Sequence, residues 1–278
     1  MAEQQKWQMP QPQPIEMKNV KGNIYLVKGG LGANAGFHIG KKSVTVIDAK
    51  MTPEFGVKVV EEIKKLTQLP IIRMIITHGD LDHVNGLSAF PKGMEIISHP
   101  NTKSDMEKAF SAPEMKELQE YIPTKTFDKK LELNIDGEKI RLLHFGPGHT
   151  SGDVVVYFPA EKIVFGGDLV FIGRDPLVHR QKNGSSFGLV KNMKEILKLG
   201  ADTFIFGHCE FVSKDDIKNL AASIESRQKK IKEMIKAGKS VEEVKTEFNV
   251  QAMPTPPGRP PFPSLIEVMY MEIKENIK

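Results

Sequence analysis

The sequence predicts an α+β fold in which β-sheets pack inside helical layers. Three observations carry that expectation. Short β-rich runs such as Ser43–Ile47 recur along the chain, and stretches with helical periodicity separate them. Strand groups alternating with helices bury their apolar faces best as sheets covered by helices. At 278 residues, 40% of them hydrophobic and 27% charged, the chain is long enough for a large core and ordinary in composition for a globular protein.

The elements follow in order. The first 18 residues are polar and carry Pro10, Pro12 and Pro14; they read as a loose tail or an arm lying on the surface. Asn23–Val27 and Ser43–Ile47 read as strands, the second ending at Asp48. Thr52 reads as a helix cap with Pro53 at the first helical position, and Phe55, Val59, Ile63 and Leu66 follow at helical spacing until Pro70. IIRMII, residues 71–76, is the next strand, completing a β-α-β unit, and such units place sites at the carboxyl ends of their strands. Further strands are expected at residues 94–97, 139–143, 154–158, 163–165 and 203–206, and helices near 101–110, 187–198 and 213–237. The last helix sets Ile217, Leu220, Ile224, Ile231 and Ile235 on one side and Arg227, Lys229, Lys230, Lys232 and Lys236 on the other. The basic side reads as a solvated face. Residues 251–263 hold six prolines, which excludes regular helix or central strand; they read as an extended strap leading to a final helix at 264–277. The expected division is therefore a tail at 1–18, one main domain at 19–250, and a strap and helix at 251–278 packed on that same domain.

Composition excludes several classes. No stretch of about 20 apolar residues is present, so no transmembrane helix is expected. The net charge, 39 − 35 = +4, is too mild to imply a nucleic-acid partner. Cys209 is the single cysteine, so no internal disulfide forms. The opening MAEQQKWQMPQPQP lacks the basic-then-apolar pattern of a secretory signal. That fits a soluble cytoplasmic chain, and equally a periplasmic or secreted one whose leader lies outside this sequence.

The stretch THGDLDH, residues 77–83, puts two imidazoles and two carboxylates directly after the IIRMII strand. His78, Asp80 and Asp82 stand at alternate positions, which on an extended loop turns all three the same way, and His83 follows. Imidazole nitrogen and carboxylate oxygen suit borderline divalent metals. GPGHTSGD places His149 after RLLHF, FGGDLVF places Asp168 after EKIVF, and FIFGHCE places His208 after DTFIF. Each candidate follows an apolar β-like run, with a glycine close by to let the backbone approach a crowded site.

The ordered set HGDLDH, GHTSGD, GGD and FGH resembles the metallo-β-lactamase superfamily of binuclear metal hydrolases, over roughly residues 20–250. The resemblance implies an αββα sandwich of two mixed β-sheets flanked by helices, with the metals at one edge of the sheets. It implies that His78, Asp80 and His149 hold one metal, that Asp82, His83 and His208 hold the other, and that Asp168 bridges both. The strand ending in Asp48 resembles the family's first motif, which makes Asp48 a hydrogen-bonding partner of a ligand. The family's usual motif is HxHxDH; this chain departs from it at Asp80. Two divalent metals, three carboxylates and a bridging hydroxide sum to zero, where the usual motif leaves +1. The departure weakens the Lewis acid and moves preference from zinc, the expected metal, toward iron or manganese.

The expected activity is hydrolysis by a hydroxide shared between two metals and attacking a carbonyl or phosphoryl centre of a small-molecule substrate, with Asp82 and Asp168 as the catalytic carboxylates. β-Lactam cleavage is within that range. A di-iron oxygen or nitric oxide protein of the same fold is the first alternative, although residues 1–278 are not expected to include a flavodoxin-like module. A nucleic-acid-processing hydrolase is the second, supported by the basic helix alone. Ser151, Asp153, Cys209, His38, His99 and His144 read as structural. His179 is the exception among the remaining histidines, because its loop follows Asp168 and borders the expected substrate pocket. The oligomeric state is left open.

Overall fold

A computed structural model describes residues 11–251 and 262–276. Residues 1–10 of the expected tail, 252–261 of the strap and the end of the last helix lie outside the described residues. Two mixed sheets face each other. The first has seven strands in chain order: β1 (Gln13–Lys21), β2 (Ile24–Gly30), β3 (Ala35–Ile39), β4 (Val44–Ile47), β5 (Ile71–Ile75), β6 (Glu95–Ser98) and β7 (Lys125–Thr126). The second comprises β8 (Lys130–Ile135), β9 (Glu138–Leu143), β10 (Val155–Phe158), β11 (Ile163–Phe165), β12 (Thr203–Phe206) and β13 (Cys209–Val212), in the order β13-β12-β11-β10-β9-β8. Helices α1 (Pro53–Leu66), α2 (Leu81–Val84) and α3 (Pro100–Phe110) belong to the first half, and α4 (Ser186–Lys198), α5 (Lys214–Lys236), α6 (Val241–Glu247) and α7 (Leu265–Asn276) to the second.

Strand β10, VVYF, shows why these strands read as continuous apolar runs. All four residues are buried. Val156 and Phe158 point between the sheets, where they meet Ile24, Leu26, Ile47 and Leu142. Val155 and Tyr157 point outward under Leu189 and Met193 of α4, Ile217 and Ile224 of α5, and Met269 of α7. On the far side, Val46 and Met74 pack under Val59 and Ile63 of α1 and Met106 and Phe110 of α3. A sheet covered on both faces needs apolar side chains at every position, and each such Leu, Ile or Phe contributes about 1.5–3 kcal/mol on burial. The layering is helix, sheet, sheet, helix.

Local signals set the helix ends. The Thr52 side chain accepts from Phe55 N, with Pro53 following it, and Ser213 and Asp216 form a reciprocal capping box for α5. Residues 13–18, read as tail or surface arm, are part of β1, an edge strand antiparallel to β2. Its exposure and Pro14 fit an edge position, where a missing N–H is tolerated. Strands β3, β7, β8 and β13 and helices α2 and α6 were also not among the expected elements.

Topology puts the carboxyl ends together. β9 and β11 both run antiparallel to β10, and β12 runs parallel to β11, so these three point the same way. β4 and β5 are parallel in the other sheet. The loops that leave these strands carry every candidate ligand.

Candidate metal centre

His78 follows the end of β5, and Asp80 is the N-cap of α2, so Asp82 and His83 lie on a helical turn. The expected extended loop is thus corrected: a strand end, then one turn of helix, aims these side chains. His149 leaves the loop after β9, Asp168 follows β11, and His208 sits in the turn between β12 and β13.

All seven come together. The Asp80 Oδ2 atom is 3.1 Å from His149 Nε2 and 3.7 Å from His78 Nε2. On the other side, His208 Nε2 is 3.1 Å from Asp82 Oδ2, and His83 Nε2 is 3.9 Å from the same oxygen. Asp168 stands between the groups: Oδ2 is 3.1 Å from His208 Nε2 and 3.9 Å from His149 Nε2, while Oδ1 is 3.1 Å from His83 Nε2. Bonds of about 2.0–2.2 Å to a tetrahedral cation set donor separations of roughly 3.3 Å, so these spacings fit cation coordination.

The donor atoms are also prepared. His83 Nδ1 meets Asp48 Oδ2 at 2.8 Å, His149 Nδ1 meets the Leu177 carbonyl at 3.0 Å, and His78 Nδ1 meets Thr77 Oγ1 at 3.2 Å. Each of the three rings is anchored through Nδ1, which leaves Nε2 to face the centre, as metal-binding imidazoles are oriented. His78 Nε2, His83 Nε2 and Asp168 Oδ1 are buried without a hydrogen-bond partner. Residues His78, His83 and Asp168 form one group whose donor atoms lie within 4.8 Å of one another. Orphaned buried polar atoms cost about 1–3 kcal/mol each, a cost that a cation held between them would offset. The residues therefore fit a pair of divalent cations.

Charge in the cage is strongly polarised. Burial opposes ionisation of Asp168, yet the His83 charge and a hydrogen bond from His208 hold its carboxyl well below the ordinary range. Burial also disfavours a charged His149, but Asp80 outweighs it and moves the ring up to about 9. Asp168 and Asp82 do the same for His208, also to about 9. Burial is the largest influence on Asp80 as well, and hydrogen bonds from His149 and His179, with the charge of His78, overcome it to keep the carboxyl well below its usual value.

Glycine is required at 207. A Cβ there would lie 2.1 Å from Asp168 Oδ1 and 2.9 Å from His83 Cε1. Asp48, with φ 57°, accepts from Thr77 N at 2.8 Å, Thr77 Oγ1 at 2.7 Å and His83.

Three residues near the centre were not among the expected ligands. His179 Nε2 is 3.1 Å from Asp80 Oδ2, and Lys182 Nζ is 2.6 Å from Asp80 Oδ1. Lys50, two residues after Asp48, is 1% exposed with φ 72°, and its ammonium donates to the Ala33 carbonyl. Burial lowers Lys50 to about 8 against the pull of Asp82. Neither lysine had a sequence signal: each stands in a stretch whose partners are far along the chain.

The other residues take structural places. Asp153 accepts from Thr150 N and Thr150 Oγ1, bracing the loop of His149. His99 and His144 stack 3.9 Å apart, and His38 pairs with Glu138. Cys209 Sγ faces the Val170 carbonyl at 3.7 Å, and burial pushes its thiol up to about 11. On the basic face of α5, Arg227 pairs with Asp175 and Lys230 with Glu247. A cavity of about 630 Å³ opens beside His208, walled by Lys28, Asn34, Gly207 and Glu210 and by Pro14 and Ile15 of the edge strand.

Residues 22–208 match the metallo-beta-lactamase superfamily, and the chain belongs to that family. It is similar to the 2,4-dinitroanisole O-demethylase subunit alpha of Nocardioides sp. (strain JS1661), at 24% identity over 68% of this chain and 56% of that one. It is 26% identical to the metallo-beta-lactamase type 2 of Elizabethkingia meningoseptica, over 57% of this chain and 64% of the relative. It is likewise 26% identical to the hydroxyacylglutathione hydrolase GloC of Haemophilus influenzae, over 48% of this chain and 64% of the relative. The chain thus spans less than two thirds of each of these relatives. Among solved structures, DIM-1 metallo-beta-lactamase superposes with a TM-score of 0.64 at 20% identity, covering 78% of this chain and 99% of that one. The metallo-beta-lactamase from Pontibacter korlensis gives 0.65 at 17% identity, covering 76% and 99%. At these identities the likeness is one of fold. Among the described residues no helix is long and apolar enough to cross a membrane.

Proposed function

We propose that the chain is a metal-dependent hydrolase acting on a small-molecule substrate. The observation that carries this reading is the set of three rings, His78, His83 and His149, each anchored through Nδ1, with Nε2 of His83 and His149 turned toward Asp168 and Nε2 of His78 toward Asp80. His78, Asp80 and His149 would hold one divalent cation; Asp82, His83 and His208 the other; Asp168 would serve both. When bound, the two cations, zinc in the first instance, would supply an activated water and an electrophile for a carbonyl or phosphoryl oxygen.

The protein's own groups do the rest. Asp82, 3.1 Å from His208 Nε2, would accept a hydrogen bond from the attacking water as well as serve as a ligand. Asp168 is buried and keeps its negative charge where positive charge is to be gathered. The cavity beside His208 is within the roughly 300–1,000 Å³ of small-molecule sites. Its Lys28 is paired with Glu16 and Glu210, which offers both donors and acceptors to a substrate.

The relatives' names point to different bonds, so the substrate screen spans lactams, lactones, thioesters, phosphodiesters and aryl methyl ethers. The reading predicts about two divalent cations per chain by elemental analysis, turnover of at least one of these classes, and loss of turnover on chelation with return on adding metal. A protein that takes up no cation, or turns over unchanged after exhaustive chelation, ends it.

A further inference from the structure

Asp80 stands where the usual motif has a neutral imidazole, so this centre carries one extra negative charge. The structure places a positive charge against it. Lys182 Nζ is 2.6 Å from Asp80 Oδ1 and donates to the Gly79 carbonyl at 3.2 Å. Both side chains are largely shielded, at 23% and 14% exposure, so the pair is poorly screened by solvent. With Lys182 on Oδ1, the oxygen left to face His149 and His78 is Oδ2. His179 Nδ1 accepts from Gln181 Nε2 at 3.0 Å, so Nε2 carries the ring proton and donates to that same Oδ2.

Lys182 is held in place by more than this contact. It ends a 3-10 turn, Arg180–Lys182, stitched to the loop of His149: His179 N donates to the His149 carbonyl at 2.8 Å, and Ser151 N donates to the Lys182 carbonyl at 2.9 Å. Arg180, next in the turn, pairs with Glu275 of α7 at 2.9 Å. The ammonium is therefore positioned by the same backbone that positions a ligand.

We propose that Lys182 and Asp80 act as one neutral unit standing in for the missing imidazole: Lys182 limits Asp80 to a single ligating oxygen and returns the centre to the charge of the three-imidazole form. This rests on the metal reading above. Two divalent cations with Asp80, Asp82 and Asp168 sum to 4 − 3 = +1; Lys182 makes this +2, the value 4 − 2 that the usual motif has. Lys182 is a positioning residue in this scheme: it reaches the cation only through Asp80.

The test compares wild type, Lys182→Met, Lys182→Arg, Asp80→His and the double variant Asp80→His/Lys182→Met. Metal content after dialysis, chelator competition and the visible spectrum of the cobalt(II) protein are measured. In Lys182→Met the freed carboxylate binds through both oxygens, and the higher coordination number weakens the cobalt band; Lys182→Arg keeps the wild-type band. In Asp80→His an ammonium is left unpaired beside an imidazole and a cation, and the first site weakens by roughly 10-fold or more. Removing that ammonium in the double variant restores the affinity. A wild-type spectrum in Lys182→Met, or equal metal loss in Asp80→His and the double variant, overturns the proposal. If Lys182→Met does not fold, the two Asp80→His proteins decide it. Wild type without metal would instead sink the hydrolase reading.

Discussion

His83 Nδ1 lies 2.8 Å from Asp48 Oδ2, and the same carboxylate accepts both the backbone N–H and the hydroxyl of Thr77. One buried group thus fixes the tautomer of His83 and the start of the segment that carries His78, Asp80, Asp82 and His83. An Asn at 48 has one acceptor oxygen for three donors, and its amide turns N–H toward His83 or Thr77. Asp48→Asn is expected to favour the His83 tautomer protonated on Nε2, blocking that donor, and to weaken cation binding at the second site 10- to 100-fold. Chelator competition on folded protein, checked by circular dichroism, measures it; unchanged affinity would mean that Asp48 only supports the backbone.

Asp168 also leaves no space for a side chain at Gly207. Gly207→Ala drives a methyl to 2.1 Å from Asp168 Oδ1 and 2.9 Å from His83 Cε1, and neither buried side chain has room to retreat. Overpacking of this kind costs about 1–3 kcal/mol, and here it also spreads the ligands. Gly93→Ala is the control, because a methyl there meets nothing within 4 Å and pays only for its positive φ. Thermal melts and metal content of the two variants are expected to diverge, with metal loss confined to Gly207→Ala.

Much of the centre was legible in the chain because each candidate ligand follows a short run rich in apolar residues, and such runs are strands of the two packed sheets. What could not be read has physical causes. β1 buries little and contains Pro14, so it carries no strand pattern. The β8–β9 hairpin does carry a local signal, Asp136-Gly137 at positive φ, which is two-residue turn chemistry. So does α6, whose Ser240 and Glu243 form a capping box. The alternation HGDLDH was read as extended, but Asp80 caps a helical turn and the convergence arises from that change of direction. Lys182 was invisible, since nothing local tells a loop lysine that its partner stands 102 residues earlier. The HxHxDH motif taken by itself makes Asp80→His a change that keeps or raises zinc occupancy; with the ammonium 2.6 Å away, we expect that only if Lys182 is removed too.

The raised histidines give a pH dependence with a definite sign. In chelated protein, burial opposes the charge on His149 and His208, but Asp80, Asp82 and Asp168 win and move both rings from the ordinary 6.5 to about 9. Groups raised on folding stabilise fully below the unfolded value and lose that contribution as pH rises through the folded one. Metal-free protein is therefore expected to lose stability between about pH 6.5 and 9. Cation uptake must displace those protons, so apparent affinity rises over the same window. Calorimetry of metal binding in buffers of different ionisation enthalpy counts the protons released at pH 7; a count near zero contradicts the prediction.

Glu272 ties the last helix to the turn that holds Asp80. It is 5% exposed, accepts from Ser186 N at 2.9 Å and from the Ser186 hydroxyl, and lies 3.7 Å from Arg180 Nη1. Ser186 opens α4, so the carboxylate meets N–H groups at a helix start, where negative charge is favoured. Gln228 donates to the same Ser186 hydroxyl at 3.1 Å, which brings α5 into the network. Glu272→Ala leaves a buried N–H and a half-paired guanidinium, at a cost of about 2–3 kcal/mol. The denaturation midpoint is expected to fall with the slope unchanged. Because Arg180 precedes Lys182 by two residues, the first cation should also be lost at lower chelator concentration than the second. Equal loss of both cations would show that α7 supports the fold as a whole and not the Asp80 side of the centre.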